Sequence, residues 1–353
     1  MELPSRLHLQ AVCAYAIPTV DRAGLLRLDV NEHPCGPDPE VMQAMLAALG
    51  PEQVATYPVY DLWHQAAARY FSVARGEVTC TAGGDEAIKA ILEAYLLPGK
   101  TLLQLSPTFD MFAHWGRLYG NPLREVRHRS DFSIDEAGWL EAIDAEGAAL
   151  GMVALVSPNN PTGALASPQL LEQTLQRTPA PVIIDETYAE FSDSHATALL
   201  KKYSNLIIVR SFSKVHGLAG LRAGAVLAQA DVVANLRKVL NPYNVARPAI
   251  AASLAVMERP HLTAQWVASV REVRAKFAEF LEDLAIPIGP QHANFLLVQL
   301  GSRAAAVTAG LAAQGILVRD RTGSHPDLQG WVRIAIGTPA QMERVQRALL
   351  AWL

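Results

Sequence analysis

From about residue 40 to 240, short aliphatic runs alternate with longer amphipathic ones, and this alternation constrains the fold more than any other feature of the sequence. The runs are Val78–Thr81, Thr101–Leu105, Met152–Ser157, Val182–Asp185, Leu206–Arg210 and Ala223–Leu227, bounded by Gly, Pro, Ser or Asp. Short runs of Val, Ile and Leu without polar alternation read as strands buried on both faces. The stretches between them read as helices. Asp85–Leu96 opens with acidic residues and stops at Pro98-Gly99, matching the polarity of a helix dipole and its stop signal. Pro168–Gln176 follows Ser167, a good N-cap. The pattern predicts an α/β fold with a mostly parallel sheet flanked by helices. Ligands then gather at the carboxyl ends of the strands.

The texture changes after Asn241-Pro242. A long helix is expected over Val267–Leu284, then strands over Asn294–Val298 and Val332–Ile336, then a last helix from Ala340. This divides the chain into an arm (1–30), a large domain (31–240) and a smaller α+β domain (241–353), with the arm packing on the small domain. Half of the 353 residues are hydrophobic and 18% are charged, enough apolar material for a large core. A net charge of −4 without a basic run argues against nucleic-acid and membrane-surface binding. No apolar stretch is long enough to span a bilayer. Glu2 and Arg6 make a poor leader ahead of the apolar residues 11–20, so the expected location is the cytoplasm. Cys13, Cys35 and Cys80 are far apart, and the ten His residues lack ligand spacing, so neither a disulfide framework nor a metal is expected.

Four strand ends carry residues that could do chemistry. Ser211-Phe-Ser213-Lys214 places an amine among small and apolar neighbours, where a lowered pKa would make a Schiff-base nucleophile. Ser211, Ser213 and Arg222 offer hydroxyls and a guanidinium to a dianion. Val182-Ile-Ile-Asp185-Glu-Thr-Tyr188 points a carboxylate into the ligand crevice, with a phenol three residues on. Ser157-Pro-Asn-Asn160-Pro-Thr-Gly163 is a turn able to aim one amide. Thr81-Ala-Gly-Gly84-Asp85 sets glycines at a helix start, where free N–H groups attract anions. Each segment alone reads better as ordinary turn, cap or loop chemistry. Their order on one α/β scaffold is far more specific.

That order resembles the fold type I aminotransferases that use pyridoxal phosphate, and within them the histidinol-phosphate aminotransferases. The resemblance spans nearly the whole chain. It rests on Val30-Asn31-Glu32-His33-Pro34-Cys35-Gly36-Pro37, Thr56-Tyr57-Pro58, Gly84-Asp85-Glu86, Leu218-Ala-Gly-Leu-Arg222-Ala-Gly224, Val318-Arg319-Asp320 and Val332-Arg333-Ile-Ala-Ile-Gly337-Thr338. It implies that Lys214 carries the cofactor covalently and shuttles a proton, and that Asp185 keeps the pyridine nitrogen protonated. Tyr188 and Asn160 would bond the ring oxygen. Phe109 would stack on the ring without the hydroxyl of the more usual tyrosine. Gly84, Asp85, Ser211, Ser213 and Arg222 would hold the cofactor phosphate. Tyr57 would reach the neighbouring subunit's cofactor, which implies a homodimer. Tyr15, Asn160, Arg319 and Arg333 would bind substrate, Arg333 its carboxylate and Arg319 its phosphate.

The chain departs from that pattern at four places. An arginine after Tyr15 is absent, Thr56 stands where Arg is common, His216 replaces an apolar residue, and Arg247 replaces a small polar one. All four are expected near the substrate phosphate. The resulting expectation is ping-pong transamination of histidinol phosphate with 2-oxoglutarate in histidine biosynthesis. Rival activities on the same scaffold are transamination of aromatic or other amino acids and decarboxylation of threonine phosphate. A non-enzymatic regulatory version of the fold is not expected, because the catalytic set is complete and Asn31 falls too early for a DNA-binding domain ahead of it.

Overall fold

A computed structural model of the chain describes residues 7–14 and 21–352. Its centre is a seven-stranded sheet. In chain order the strands are β1 (Val78–Thr81), β2 (Thr101–Ser106), β3 (Leu123–Arg127), β4 (Leu150–Val156), β5 (Val182–Asp185), β6 (Leu206–Ser211) and β7 (Gly224–Ala228). Side by side they run β1-β7-β6-β5-β4-β2-β3, all parallel except β7, which is antiparallel to both neighbours. The alternation therefore yields the predicted architecture.

Successive residues of one strand serve two cores, as the two-residue period requires. Leu103, Leu105, Val153, Leu155, Ile184 and Ile208 pack on one face. Leu102, Met152, Ala154, Ile183, Ile207 and Val209 pack on the other. β3 lacks the apolar run that marks the other strands in the sequence. Its residues Leu-Arg-Glu-Val-Arg are mostly solvent-facing, since an edge strand needs no apolar run and charges protect it.

A second sheet of three antiparallel strands, β9-β10-β8, is built from β8 (Phe295–Gln299), β9 (Arg319–Asp320) and β10 (Trp331–Ala335). The helices Pro260–Asp283 and Pro339–Leu350 cover it through Val270, Phe277, Leu281, Met342 and Val345. Two sequence expectations shift here. The texture break at 241 is not where the cores divide: Val245 and helix Arg247–Met257 join the large core through Ala249, Ala252, Ala255 and Val256. Pro260 at the start of the long helix marks that change better. The arm is also divided. Leu26–Arg27 pairs in parallel with Ile316–Leu317 beside the small sheet. Farther back, the turn Leu7–Ala11 lies instead against helix Met111–Leu118 of the large sheet, where His8 is the nearest side chain to Gly120.

Candidate active site

Parallel strands deliver their carboxyl ends to one edge of the large sheet, and the reversed β7 delivers its amino end there. β1 brings Gly83–Asp85, β5 brings Asp185, β6 brings Ser211–Lys214, and the start of β7 brings Arg222. The register is close enough that only glycine fits at Gly224: a Cβ there would lie 2.7 Å from the Gly83 carbonyl carbon. Gly83 itself has φ +80, and a Cβ on it would meet the Arg222 guanidinium at 2.5 Å. Positive φ and close approach are the two reasons a chain needs glycine.

A cavity of about 540 Å³ opens at this edge, under the small sheet. Lys214, Asp185, Tyr188, Asn160, Phe109, Gly84, Asp85, Ser211, Ser213, Arg222, Arg319 and Arg333 all line it. At one end, helix Gly83–Tyr95 begins without a side-chain cap, so its first N–H groups are open to an acceptor. Arg222 reaches Asp85 at 2.9 Å and Ser213 at 3.4 Å, and the Ser211 hydroxyl accepts from the Ser213 amide at 3.2 Å.

In the middle, Asp185 is buried and accepts from the Thr187 amide at 2.9 Å. Burial pushes its carboxyl up to about 6, against the pull of the Thr187 bonds. Lys214 donates to the Val30 carbonyl at 2.9 Å. Burial, reinforced by the Arg333 guanidinium, brings its amine down to about 8. Its neutral form is thus present near neutral pH, as a nucleophile or base requires. The buried Tyr188 phenol accepts from Asn31 at 3.0 Å.

At the far end, Arg319 and Arg333 stand directly opposite each other across β9 and β10. Arg333 is buried, donates to the Asp29 carbonyl at 2.6 Å and to the Asn160 side chain, and lies over the Phe295 ring at 5.5 Å.

These parts fit pyridoxal phosphate. The uncapped helix start, two serines and Arg222 form a dianion cradle. A buried carboxyl suits a protonated ring nitrogen. The amine of lowered pKa stands between them and the arginines.

Tyr57, Thr56, His216 and Arg247 are not part of the cavity lining. Tyr57 is 72% exposed and stacks on Tyr243 outside the cavity, with ring centres 4.2 Å apart. Tyr15 lies outside the described residues. His216, expected near the substrate phosphate, is instead packed on Phe212 with Nδ1 3.2 Å from the Thr263 hydroxyl, away from the cavity. Burial drives its pKa down to about 3, so it is a neutral core residue. Arg247 and Thr56 meet each other: Arg247 donates to the Thr56 hydroxyl at 3.2 Å and the Tyr57 carbonyl at 2.6 Å.

The structure also adds Arg22, Asn31, Thr187 and Arg321 to the lining. Asn31 had a visible signal, being part of the Val30–Pro37 motif. It adopts φ 57, a conformation asparagine tolerates better than most residues. Arg22 and Arg321 had none, since nothing local distinguishes a cavity arginine from a surface one.

Residues 23–349 match the family Aminotransferase class I and II. The chain belongs to this family. Its members are pyridoxal-phosphate-dependent transferases, so the chain is an aminotransferase-family enzyme with that cofactor. Among curated relatives, a histidinol-phosphate aminotransferase of Roseiflexus castenholzii is 36% identical over 326 residues, covering 90% of this chain and 86% of its own. Histidinol-phosphate aminotransferase 1 of Carboxydothermus hydrogenoformans is 32% identical, covering 92% of each chain. The crystal structure of the Sinorhizobium meliloti histidinol-phosphate aminotransferase, in complex with pyridoxal-5'-phosphate, superposes with a TM-score of 0.83. It covers 92% of this chain and 89% of its own at 24% identity, a likeness of fold.

Proposed function

We propose that this aminotransferase moves the amino group of histidinol phosphate to 2-oxoglutarate, as a cytoplasmic homodimer in histidine biosynthesis. Pyridoxal phosphate, when bound, supplies the sink for electrons left at the substrate α-carbon. The protein's own groups do the rest. Lys214 Nζ holds the cofactor and moves the proton at the α-carbon. Asp185 Oδ holds the proton of the ring nitrogen. Tyr188 Oη and the Asn160 amide orient the ring, and Phe109 stacks on it. Gly84, Asp85, Ser211, Ser213 and Arg222 bind the cofactor phosphate. Arg333 takes the carboxylate of glutamate and 2-oxoglutarate, Arg319 the phosphate of the other substrate, and Tyr15 is expected to bind substrate as well.

The observation that carries this reading is the register pair Arg319–Arg333 in the cavity of Lys214. Two guanidinium groups converging in a half-buried space repel each other unless an anion joins them. The names of the relatives point to the same substrate. The dimer is supported by the exposed Val54, Tyr57, Val59 and Leu62, an apolar surface of the kind that a partner covers. Through it Tyr57 would reach the partner's cofactor phosphate. No helix among the described residues is long and apolar enough to cross a membrane.

The test is the two half-reactions of Arg319→Ala, run separately. Truncating one member of a buried charge pair costs about 2–5 kcal/mol. The loss with histidinol phosphate should therefore exceed that with glutamate by more than about thirtyfold. Equal losses would remove Arg319 from phosphate recognition.

A further inference from the structure

The loop between β9 and β10, residues 321–330, crosses from the small sheet to the large one at three points. Leu328 and Trp331 form a separate apolar cluster with Phe132 and Leu297, the Phe132 ring lying edge-on to Trp331 at 5.0 Å. Arg127 forks onto the Asp327 carboxylate at the surface. His325 Nε2 lies 3.0 Å from the hydroxyl of Ser106, the buried last residue of β2.

These contacts are not equivalent. An exposed ion pair contributes little, and apolar contact is non-directional. The His325–Ser106 bond fixes an orientation. Its polarity follows from the other ring nitrogen: Nδ1 accepts from the Asp327 amide at 3.1 Å, so Nε2 carries the proton and donates to Ser106.

Both ends of this bond lead into the cavity. Ser106 is followed by Thr108 and Phe109, which line it. His325 sits in the loop that joins Arg319 and Arg321 to Arg333, and all three arginines line it. They are not held alike. Arg333 is in the middle strand, paired on both sides, and is also tied to Asn160 and Asp29. Arg319 belongs to a two-residue edge strand, and Arg321 follows that strand, its amide bonded to the Trp331 carbonyl at 2.9 Å.

We propose that His325 is a positioning residue for substrate specificity, whose hydrogen bond to Ser106 seats the loop on the large sheet and so sets Arg319 and Arg321 at the anion end of the cavity. The inference rests on reading this cavity as the aminotransferase site. Loss of the bond should act on Arg319 and Arg321 and spare Arg333. Ligands whose anionic group rests on Arg319 and Arg321, such as a phosphate, should feel it, and a carboxylate held by Arg333 should not.

The experiment uses cofactor-loaded enzyme and four variants: His325→Ala, Ser106→Ala, the double variant, and His325→Gln, which keeps a donor. KM and kcat are measured with histidinol phosphate and with 2-oxoglutarate, and inorganic phosphate is titrated calorimetrically. Either alanine variant should raise KM for histidinol phosphate and weaken phosphate binding about tenfold. The 2-oxoglutarate KM and kcat should stay within about threefold. The double variant should be no worse than either single one, because both remove the same bond. His325→Gln should recover most of the loss.

Additive losses, equal effects on both substrates, or a fall in melting temperature alone would overturn the role of His325. Phosphate affinity unchanged in every variant would do the same, whatever the donor. If the wild type ignores histidinol phosphate while phosphate binding shows the coupled loss, the proposed donor fails and His325 stands. If the wild type binds no phosphate, the arginines form no anion site and both readings fall.

Discussion

The two ends of the cavity are built on different principles. At the end proposed to hold the cofactor, Asp185 and Ser211 end strands that are hydrogen-bonded on both sides, and the Gly83–Asp85 helix start follows β1, an edge strand paired along its length with β7. Their positions follow from the ladder itself. At the end proposed to hold the substrate, Arg333 belongs to a strand paired on both sides, but the other groups come from a two-residue edge strand, a loop and the chain before residue 33. Those groups are placed by side chains: Arg22 on Asp29 and Glu32, His325 on Ser106, Asp327 on Arg127. A site built on strand ends holds geometry tightly, whereas loops accommodate new specificity at little cost to the fold. Changes at the first end should therefore act on the chemistry, and changes at the second on choice of substrate.

The largest effect is expected at Lys214. Lys214→Ala should lower transamination by about four orders of magnitude or more, as loss of a nucleophile does. Borohydride reduction followed by peptide mapping should mark Lys214; a label on Lys89 or Lys238 instead would move the first end of the cavity elsewhere.

Asp185→Asn should come next, with kcat falling about a hundredfold or more because an electrostatic contact to the ring is lost. The same variant should gain stability without cofactor. Burial lifts the Asp185 carboxyl from 3.8 to about 6, so the folded protein binds this proton more tightly than the unfolded chain. Wild-type stability then declines as pH rises from about 4 through 6, and the deficit is complete above that. Chemical denaturation at pH 7 should show cofactor-free Asp185→Asn more stable by roughly 2–3 kcal/mol, with the advantage gone near pH 4. A variant that is less stable at pH 7 would show that Asp185 serves the fold rather than the ring.

The smallest effect tests the border between subunits. Mixed Tyr57→Phe and Lys214→Ala chains should form hybrid dimers with one site free of both defects, restoring up to about half the activity per hybrid. No recovery after verified subunit exchange would place Tyr57 outside the partner's site.

The same division explains what could be read from the sequence. Asp185, Lys214 and Asn160 follow runs such as Val182-Ile-Ile and Leu206-Ile-Ile-Val, whose apolar content marks a buried strand and so fixes where the next polar residue points. Gly84 was legible only beside the other strand-end motifs, since a glycine pair between strand and helix is by itself ordinary turn chemistry. The loop residues carried no such marker. His325 lies in a polar stretch, Arg321 between Asp320 and Thr322, and their roles depend on contacts with Ser106 and the cavity, far away in sequence. Burial of His216 was invisible for the same reason: its partner Thr263 belongs to the distant helix Pro260–Asp283. The break at 241 misled because composition changes there, while Val245–Met257 still supplies an apolar face to the large core.

The central claim is that the arginine end selects a phosphate-bearing amino donor for the chemistry of the lysine end. The direct measurement is kcat/KM of the wild-type enzyme for histidinol phosphate against histidinol, with 2-oxoglutarate as acceptor and glutamate formation as the readout. A charge-pair contribution of about 2–5 kcal/mol predicts a preference for the phosphorylated donor of at least about thirtyfold. Equal efficiency with the two donors, a preference for an unphosphorylated aromatic amino acid, or release of carbon dioxide from threonine phosphate would contradict it.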